Sequence, residues 1–571
     1  MQHPSRSALS PLLPDADRAL NLRGLGQVRL STLLWFSILI PIGFVAWRVQ
    51  LSLRDIVFWD EFDAVLSFIV RLYERTGWSD VLQLATSWHN EHRPLTSRLL
   101  YTLVYALTGK VNFILIGIIG NLYLLMGCVL LVLAMKTGMR RLQMGVILAW
   151  SVFQLQQHEN FFWSGSSIDH FHVVMLGIAA MICLRQPDWV GFFGAVLFSF
   201  LSVFTLAHGL MILPVVSLML MVERRWREWV IWLLWGTLLG LFFVHDFEFR
   251  PQHGALETIG SILRYWLQLL GASPGFMFKP VAEWFGFGLL VWVGVWLARG
   301  GLRREPLVAS IVLFLAGAML LIAFGRAGLN GGVLGSRYVI LSSVIWALML
   351  FTVLQKGRDS TAAPSLFVWI TLGLMIFNVA ANLRHVGWGL KFAQSREATI
   401  VHYRLTGSFR ESAFPLHPLA QNAESIYWKA KRRGIYKFPR LCQQVSATGW
   451  SATGRIQYYI DEVQATPYAV YVRGWALVPE TADAAQTIYL VLQGTQNKLA
   501  FTTRVEPRPD VAKLYNQPAD ALCGFNFVAT RDRLPSEPLR VGIAIGDGAT
   551  IDHIMTDTMV VPAGMKTISS R

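Results

Sequence analysis

Residues 306–324 read PLVASIVLFLAGAMLLIAF, an uncharged run bounded by Arg303, Arg304 and Glu305 before it and by Gly325-Arg326 after it. Wound as a helix at about 1.5 Å per residue, such a run crosses the roughly 30 Å hydrocarbon core of a bilayer. Comparable runs recur at residues 31–50, 112–135, 142–157, 169–184, 189–206, 209–222, 229–245, 284–299, 338–355 and 365–381. They predict a polytopic α-helical membrane protein of about eleven spans, since a helix satisfies its own backbone polar groups in lipid. Composition agrees: 54% hydrophobic and 15% charged residues, with a mean hydropathy of +0.45, do not describe a soluble domain.

Orientation follows from Lys and Arg in the short connections. Arg6, Arg18, Arg23 and Arg29 precede the first span, and Lys136, Arg140 and Arg141 follow the second. Both groups are expected in the cytoplasm. Alternation then puts Arg224, Arg225 and Arg227, the cluster at 299–304, and Lys356 with Arg358 on the same side. The first outer loop, 51–111, and everything beyond residue 382 are expected outside. The first apolar segment starts only near residue 31, without a small-residue cleavage pattern behind it, and is expected to be retained. The formal charge of +15 is distributed as topology signals and interfacial anchors, so no nucleic-acid partner is expected. Lys429, Lys431, Arg432, Arg433, Lys437 and Arg440 cluster after Ile426-Tyr427-Trp428, either facing an anionic lipid surface or forming a solvated helix face.

Beyond residue 450 continuous apolar runs give way to short alternating segments with turn residues between them. Strands are expected at 455–462, 469–477, 487–493, 499–505, 524–530 and 539–545, with turns at Gln493-Gly494 and Gly546-Asp547-Gly548, in an extracytoplasmic all-β sandwich of seven or eight strands. The resulting organisation is a cytoplasmic tail 1–30, a membrane domain 31–390, juxtamembrane helices 391–449 and a β-sandwich 450–571. Cys442 and Cys523 fall in a compartment that permits a disulfide, so a bridge and two separate core thiols are both open.

The chemistry concentrates in the first outer loop. Phe58-Trp59-Asp60-Glu61-Phe62-Asp63 is followed by His89-Asn90-Glu91-His92-Arg93-Pro94. Ionisable groups beside a bilayer are costly unless they face water, protein or a ligand. Asp60, Glu61 and Asp63 offer a general base and groups that orient an acceptor or hold a cation; the competing reading is a solvated acidic loop pairing with Arg54, Arg71 or Arg93. Arg93 and Arg98 suit an anionic group, and His89 and His92 suit hydrogen bonding or metal ligation. A divalent cation stays open, and no other cofactor is expected. Further outer loops carry His158-Glu159-Asn160-Phe161-Phe162-Trp163, Asp169-His170, His208, the run His245-Asp246-Phe247-Glu248, and Gly325-Arg326 through Gly335-Ser336-Arg337-Tyr338. Glu159 and Asn160 fit sugar hydroxyls; Arg326 and Arg337, beside Tyr338, fit a phosphate, or else snorkel to headgroups. His208 reads more simply as a satisfied loop histidine.

A retained first helix, an outer loop opening with Trp59-Asp60-Glu61-Phe62-Asp63, many further spans and an outer C-terminal domain resemble the GT-C glycosyltransferase superfamily. The Trp-Trp-Asp motif of its oligosaccharyltransferases is missing. The tail pieces Val472-Arg473-Gly474-Trp475-Ala476, Arg508-Pro509-Asp510-Val511 and Cys523-Gly524-Phe525 resemble a sandwich module of bacterial surface-glycosylation proteins, with Trp475 and Asp510 facing carbohydrate or, more plainly, packing and capping a turn. The resemblance implies an inverting transferase of the bacterial inner membrane. It would move a sugar from a polyprenyl-phosphate carrier to a cell-envelope glycan, with Asp60 as base, Glu61, Asp63 and Glu91 placing the acceptor or a cation, and Arg93, Arg326 and Arg337 holding the donor phosphate. Two other classes stand against it: a flippase for lipid-linked glycans, and a membrane-anchored glycan-binding scaffold.

Overall fold

The computed structural model describes residues 19–22, 26–135, 138–247, 259–327, 334–356, 363–447, 450–452, 454–479, 487–518, 521–546 and 551–561. Arg6, Arg18, Arg23, Lys136, Glu248, Arg358 and the turn at Asp547-Gly548 lie outside them, as does the side chain of Lys356. The chain divides into two compact units, Met1–Arg54 with Asp63–Ala393 and Asp55–Phe62 with Gln394–Arg571.

In the first unit a hairpin of β1 (Ala19–Leu22) and β2 (Gly26–Arg29) leads into the helix Leu30–Ser52. Each of the eleven apolar runs forms a helix. Among the described residues eight helices are long and apolar enough to cross a membrane: Leu30–Ser52, Phe113–Ala134, Ser164–Leu184, Trp226–Val244, Lys279–Ala298, Pro306–Arg326, Ser336–Gln355 and the first part of Pro364–Thr406. Met139–Val152 and Trp189–Val203 are shorter than the runs expected there, and Ala207–Val222 is likewise among the shorter apolar helices. Burial separates inner helices from outer ones: 78% of the apolar window is buried in Ser336–Gln355 and 72% in Ser164–Leu184, against 17% in Trp226–Val244. The outer helices expose Phe36, Ile40, Trp47, Leu234, Leu238, Trp284 and Phe287, a surface that suits hydrocarbon and not water. Close helix packing in such a bundle relies on small residues. A Cβ on Gly120 would lie 2.3 Å from Ser167 Oγ and 2.8 Å from Ile168 N, so glycine lets Phe113–Ala134 lie against Ser164–Leu184.

The run expected to continue to residue 157 breaks at Phe153, because Gln154, Gln156 and Gln157 are drawn into a buried polar network. Asn378 Nδ2 donates to the carbonyls of Trp150 (2.9 Å) and Phe153 (3.0 Å), and Asn382 Oδ1 accepts from Leu155 N at 2.9 Å. Gln156 Nε2 donates to Ser273 O at 3.2 Å, and Asn382 Nδ2 to Asn378 Oδ1 at 2.7 Å. Non-helical backbone can be buried where protein groups satisfy it in this way.

Connections group at two ends of this unit. At one, Arg225 Nη1 donates to Leu184 O at 2.8 Å, Arg185 pairs with Glu223, and Arg141 donates to Leu133 O and Met135 O. The other end gathers residues 87–94, 153–163, 204–211, 326–327 and 334–338 and holds the candidate site.

In the second unit the segment from Asp55 to Phe62 lies against residues 396–436: Tyr436 OH donates to Asp55 O (2.8 Å) and Trp59 N to Leu416 O (2.7 Å). Tyr403, Phe409, Tyr427 and Phe438 form an aromatic cluster, with Tyr427 and Phe438 stacked at 4.3 Å. The β-strands that follow are β3 (Gln444–Val445), β4 (Gln457–Ala465), β5 (Ala469–Leu477), β6 (Thr487–Gln493), β7 (Lys498–Thr502), β8 (Arg504–Glu506), β9 (Gly524–Thr530), β10 (Leu539–Gly546) and β11 (Ile551–Val560). They form two antiparallel sheets, ordered β11-β10-β6-β7-β3 and β4-β5-β9-β8. Val470, Val472, Phe525 and Phe527 from one sheet and Leu490, Leu492, Phe501, Val541 and Ile543 from the other share one core, with the Phe501 and Phe527 rings 5.2 Å apart. The single strand expected at 499–505 is two strands, one in each sheet, broken at Thr503. The expectations missed β3 and β11. Cys442 and Cys523 are free thiols. They are buried in separate clusters, Cys442 in the shared core and Cys523 beside Leu477 and Val511, which corrects the disulfide alternative.

Candidate functional site

The loop that carries Glu91 is a tight turn in which His89 N donates to His92 O (2.8 Å) and His92 N to His89 O (3.0 Å). It needs one residue at positive φ; Asn90 takes φ +51°, a conformation asparagine tolerates, and is exposed. Asn90 thus shapes the loop, and Glu91 beside it is the residue that reaches a partner. Glu91 Oε1 accepts from Arg326 Nη2 at 3.0 Å. Burial alone would raise the Glu91 carboxyl, but the neighbouring His92 and the Arg326 guanidinium outweigh it and hold the group below its ordinary value. His92 Nδ1 accepts from Ala207 N at 3.1 Å, which leaves the ring proton on Nε2. Burial pushes this imidazole down to about 4, against the pull of Glu91, so it is neutral at pH 7.

Arg337 is presented by the turn that opens the helix Ser336–Gln355. Glu159 Oε2 accepts from Arg337 N (3.2 Å), Glu159 N donates to Ser336 Oγ (3.1 Å), and Asn160 Nδ2 donates to Arg337 O (2.9 Å). Ser166 Oγ in turn donates to Asn160 Oδ1 at 2.7 Å. Glu159 and Asn160, expected at sugar hydroxyls, are engaged in holding this turn. The Arg337 guanidinium carbon lies 5.8 Å from the Trp163 ring centroid and 5.5 Å from that of Tyr338, within cation–π range. The His170 ring is 5.6 Å from Tyr338 and 6.3 Å from His208, and His170 Nδ1 lies 3.1 Å from Ser166 O. Ser97 Oγ donates to Asp169.

Arg93 and Arg98 have a different employment from the one expected. Arg93 donates to the carbonyls of Phe243 (3.0 Å), Thr86 (2.7 Å) and His245, and packs 4.4 Å from the Trp88 ring centroid. Arg98 Nη1 donates to Leu84 O, Ala85 O and Ser87 O at 2.7 to 3.1 Å. Arg98 caps carbonyls at the end of the helix Trp78–Thr86 and Arg93 ties that end to the end of the helix Trp226–Val244, where orphan acceptors and the helix dipole favour a cation.

The acidic run is divided between the units. Asp63 opens a π-helical turn, Phe62–Ser67, and belongs to the first unit; Asp60 and Glu61 belong to the second. Glu61 is 2% exposed and its Oε2 accepts from Phe58 N at 2.7 Å, closing the turn on itself. Asp60 and Asp63 are exposed, and Trp59 before them adopts φ +49°. In the sandwich, Asp510 accepts from Arg508 Nε and Nη2 (2.9 and 2.7 Å), Arg508 Nη1 donates to Asp461 (2.6 Å), and Trp475 packs on Tyr515. The Arg508 hydrogen bonds hold the Asp510 carboxyl at about 2. Trp475 and Asp510 thus occupy a packing contact and an ion pair.

Among the described residues no three His, Cys, Asp or Glu side chains are grouped to hold a metal ion. Sequence reasoning missed the network of Gln154, Gln156, Asn378 and Asn382; amides inside otherwise apolar runs were the visible signal. Compared with protein-family models, curated proteins and solved structures, the chain has no match.

Proposed function

We propose that this protein is a membrane glycosyltransferase that takes a sugar from a polyprenyl-phosphate carrier and passes it to a hydroxyl of a cell-envelope glycan. The observation that carries the reading is that Arg326, paired with Glu91, and Arg337, bracketed by Trp163 and Tyr338, both act on His92 at one end of a bundle of apolar helices. A lipid-linked phosphate has its anionic head where such helices end, and guanidinium groups suit phosphate oxygens better than any other side chain. In the reaction the acceptor oxygen attacks the anomeric carbon as the bond to the phosphate oxygen breaks. Arg326 and Arg337 stabilise the charge that collects on the departing phosphate. The attacking hydroxyl passes its proton to a carboxylate, a role for which the sequence of the first loop offers Asp60. Direct displacement inverts the anomeric centre.

The test is the mass of surface glycans from cells lacking the gene, complemented with wild type or with membrane-inserted Arg337→Gln and Asp60→Asn. Wild type should restore one sugar residue that neither variant restores. Equal restoration by both variants would remove the transferase reading and favour transport or scaffolding.

A further inference from the structure

His208 sits in a short 3-10 helix, Ala207–Met211, which Thr96 and His92 hold in place. Thr96 N donates to Phe204 O (3.2 Å), the hydroxyls of Thr96 and Thr205 are 2.7 Å apart, and Ala207 N donates to His92 Nδ1 (3.1 Å). Gly209 permits the turn: a Cβ there would lie 2.3 Å from Ser202 O. The imidazole so placed is 5% exposed, near the His92 and His170 rings. Among the described residues its Nε2 is buried without a hydrogen-bond partner.

A buried polar nitrogen left unpaired costs about 1–3 kcal/mol, and native proteins seldom carry that cost without a reason. Packing does not supply one here, because an apolar residue would fill the same space. The surroundings point to a ligand: the His170 ring lies 6.3 Å from His208 and 5.6 Å from Tyr338, Arg337 acts electrostatically on His92 and His170, and Arg326 acts on His92. We infer that His208 touches the bound ligand, its Nε2 hydrogen-bonding an oxygen of the phosphate group that Arg326 and Arg337 hold. This rests on the lipid-phosphate reading above and adds a neutral, directional contact to two charged ones. Two guanidiniums fix where a phosphate lies, whereas a short imidazole on a rigid turn selects among its oxygens.

The experiment uses the full-length protein in phosphatidylcholine nanodiscs, with undecaprenyl phosphate, undecaprenol and inorganic phosphate as probes. Affinity and melting temperature are read for wild type, His208→Ala and His208→Gln, the last because its amide nitrogen falls near Nε2. Wild type should prefer undecaprenyl phosphate to undecaprenol. His208→Ala should weaken the phosphate probe by about tenfold, with undecaprenol unchanged, and His208→Gln should recover most of the loss. Competition by inorganic phosphate would show that the headgroup alone is recognised, and its failure that the lipid chain is also needed; the contact stands in both cases. Binding by His208→Ala within twofold of wild type would overturn the inference and leave the transferase reading intact. A lowered melting temperature with equal loss of both lipid probes would also overturn it, assigning His208 to packing. Wild type that binds undecaprenol as well as its phosphate would remove both readings.

Discussion

Arg326 Nη2 meets Glu91 Oε1 at 3.0 Å across 235 positions of chain. The pair joins the turn after the helix Trp78–Thr86 to the end of the helix Pro306–Arg326, with both side chains about a third exposed or less. An ion pair this open adds little to stability, on the order of 1 kcal/mol or less. Arg326→Gln and Glu91→Gln should therefore melt within a few degrees of wild type in detergent. Arg326→Gln should nevertheless fail to restore the surface sugar, because its loss removes half of the proposed phosphate grip. A variant that melts normally and restores the sugar fully would show the pair to be only a loop contact.

Acid should loosen this end of the bundle. The His92 imidazole is pushed down to about 4, so between about 6.5 and 4 the unfolded chain binds a proton that the folded one refuses, and stability falls with pH across that window. The Glu91 carboxyl is held below its ordinary value, so its contribution is full above that value and fades at lower pH, in the same direction. Melting temperature should drop from pH 7.5 to pH 5, and His92→Gln should flatten the curve. An unchanged slope in His92→Gln would place the acid sensitivity elsewhere.

Neighbouring acids of the first loop should separate by phenotype. Glu61 is buried and accepts from Phe58 N, so Glu61→Ala strips a buried donor of its partner and should cost about 1–3 kcal/mol, read as a lower melting temperature. Asp60 is exposed, and Asp60→Asn should leave melting unchanged while abolishing restoration of the sugar.

The buried amides are a stability element. Asn378→Ala removes the donor to Trp150 O and Phe153 O and the acceptor for Asn382 Nδ2. Leaving these buried groups unpaired should cost about 2–5 kcal/mol, since water does not reach them to replace the bonds. Thermal inactivation of the protein in nanodiscs reads this directly, and a loss below 1 kcal/mol would contradict the network.

Cys442 and Cys523 should stay unlinked and slow to react. Burial pushes both thiols above their ordinary value, which leaves little thiolate at pH 7. Intact mass without reductant should show two free thiols in the sandwich, and alkylation should need denaturant. A mass lower by two hydrogens, with the two peptides linked, would refute the arrangement.

Much of the architecture was legible because long apolar runs leave the chain few options in lipid, and because alternation with turn residues has a period of its own. Ala469–Leu477, Thr487–Gln493 and Gly524–Thr530 fall on their expected bounds. Residues 499–505 did not, since a strand that changes sheets at Thr503 keeps the same local pattern on both sides of the break. The break at Phe153 was hidden for a related reason: its satisfying groups, Asn378 and Asn382, lie more than two hundred residues away.

Local composition and period, then, were enough to establish apolar helices followed by a β domain, and the residue types that the first long loop carries. They could not say which of those residues meet. Arg93 and Arg326 read alike in the chain, yet one caps carbonyls and the other faces Glu91. Glu61 and Asp60 are adjacent, yet one is buried on its own backbone and the other is open. Such choices depend on hydrogen-bond geometry and burial between segments distant in sequence, and these come into being only when the helices pack.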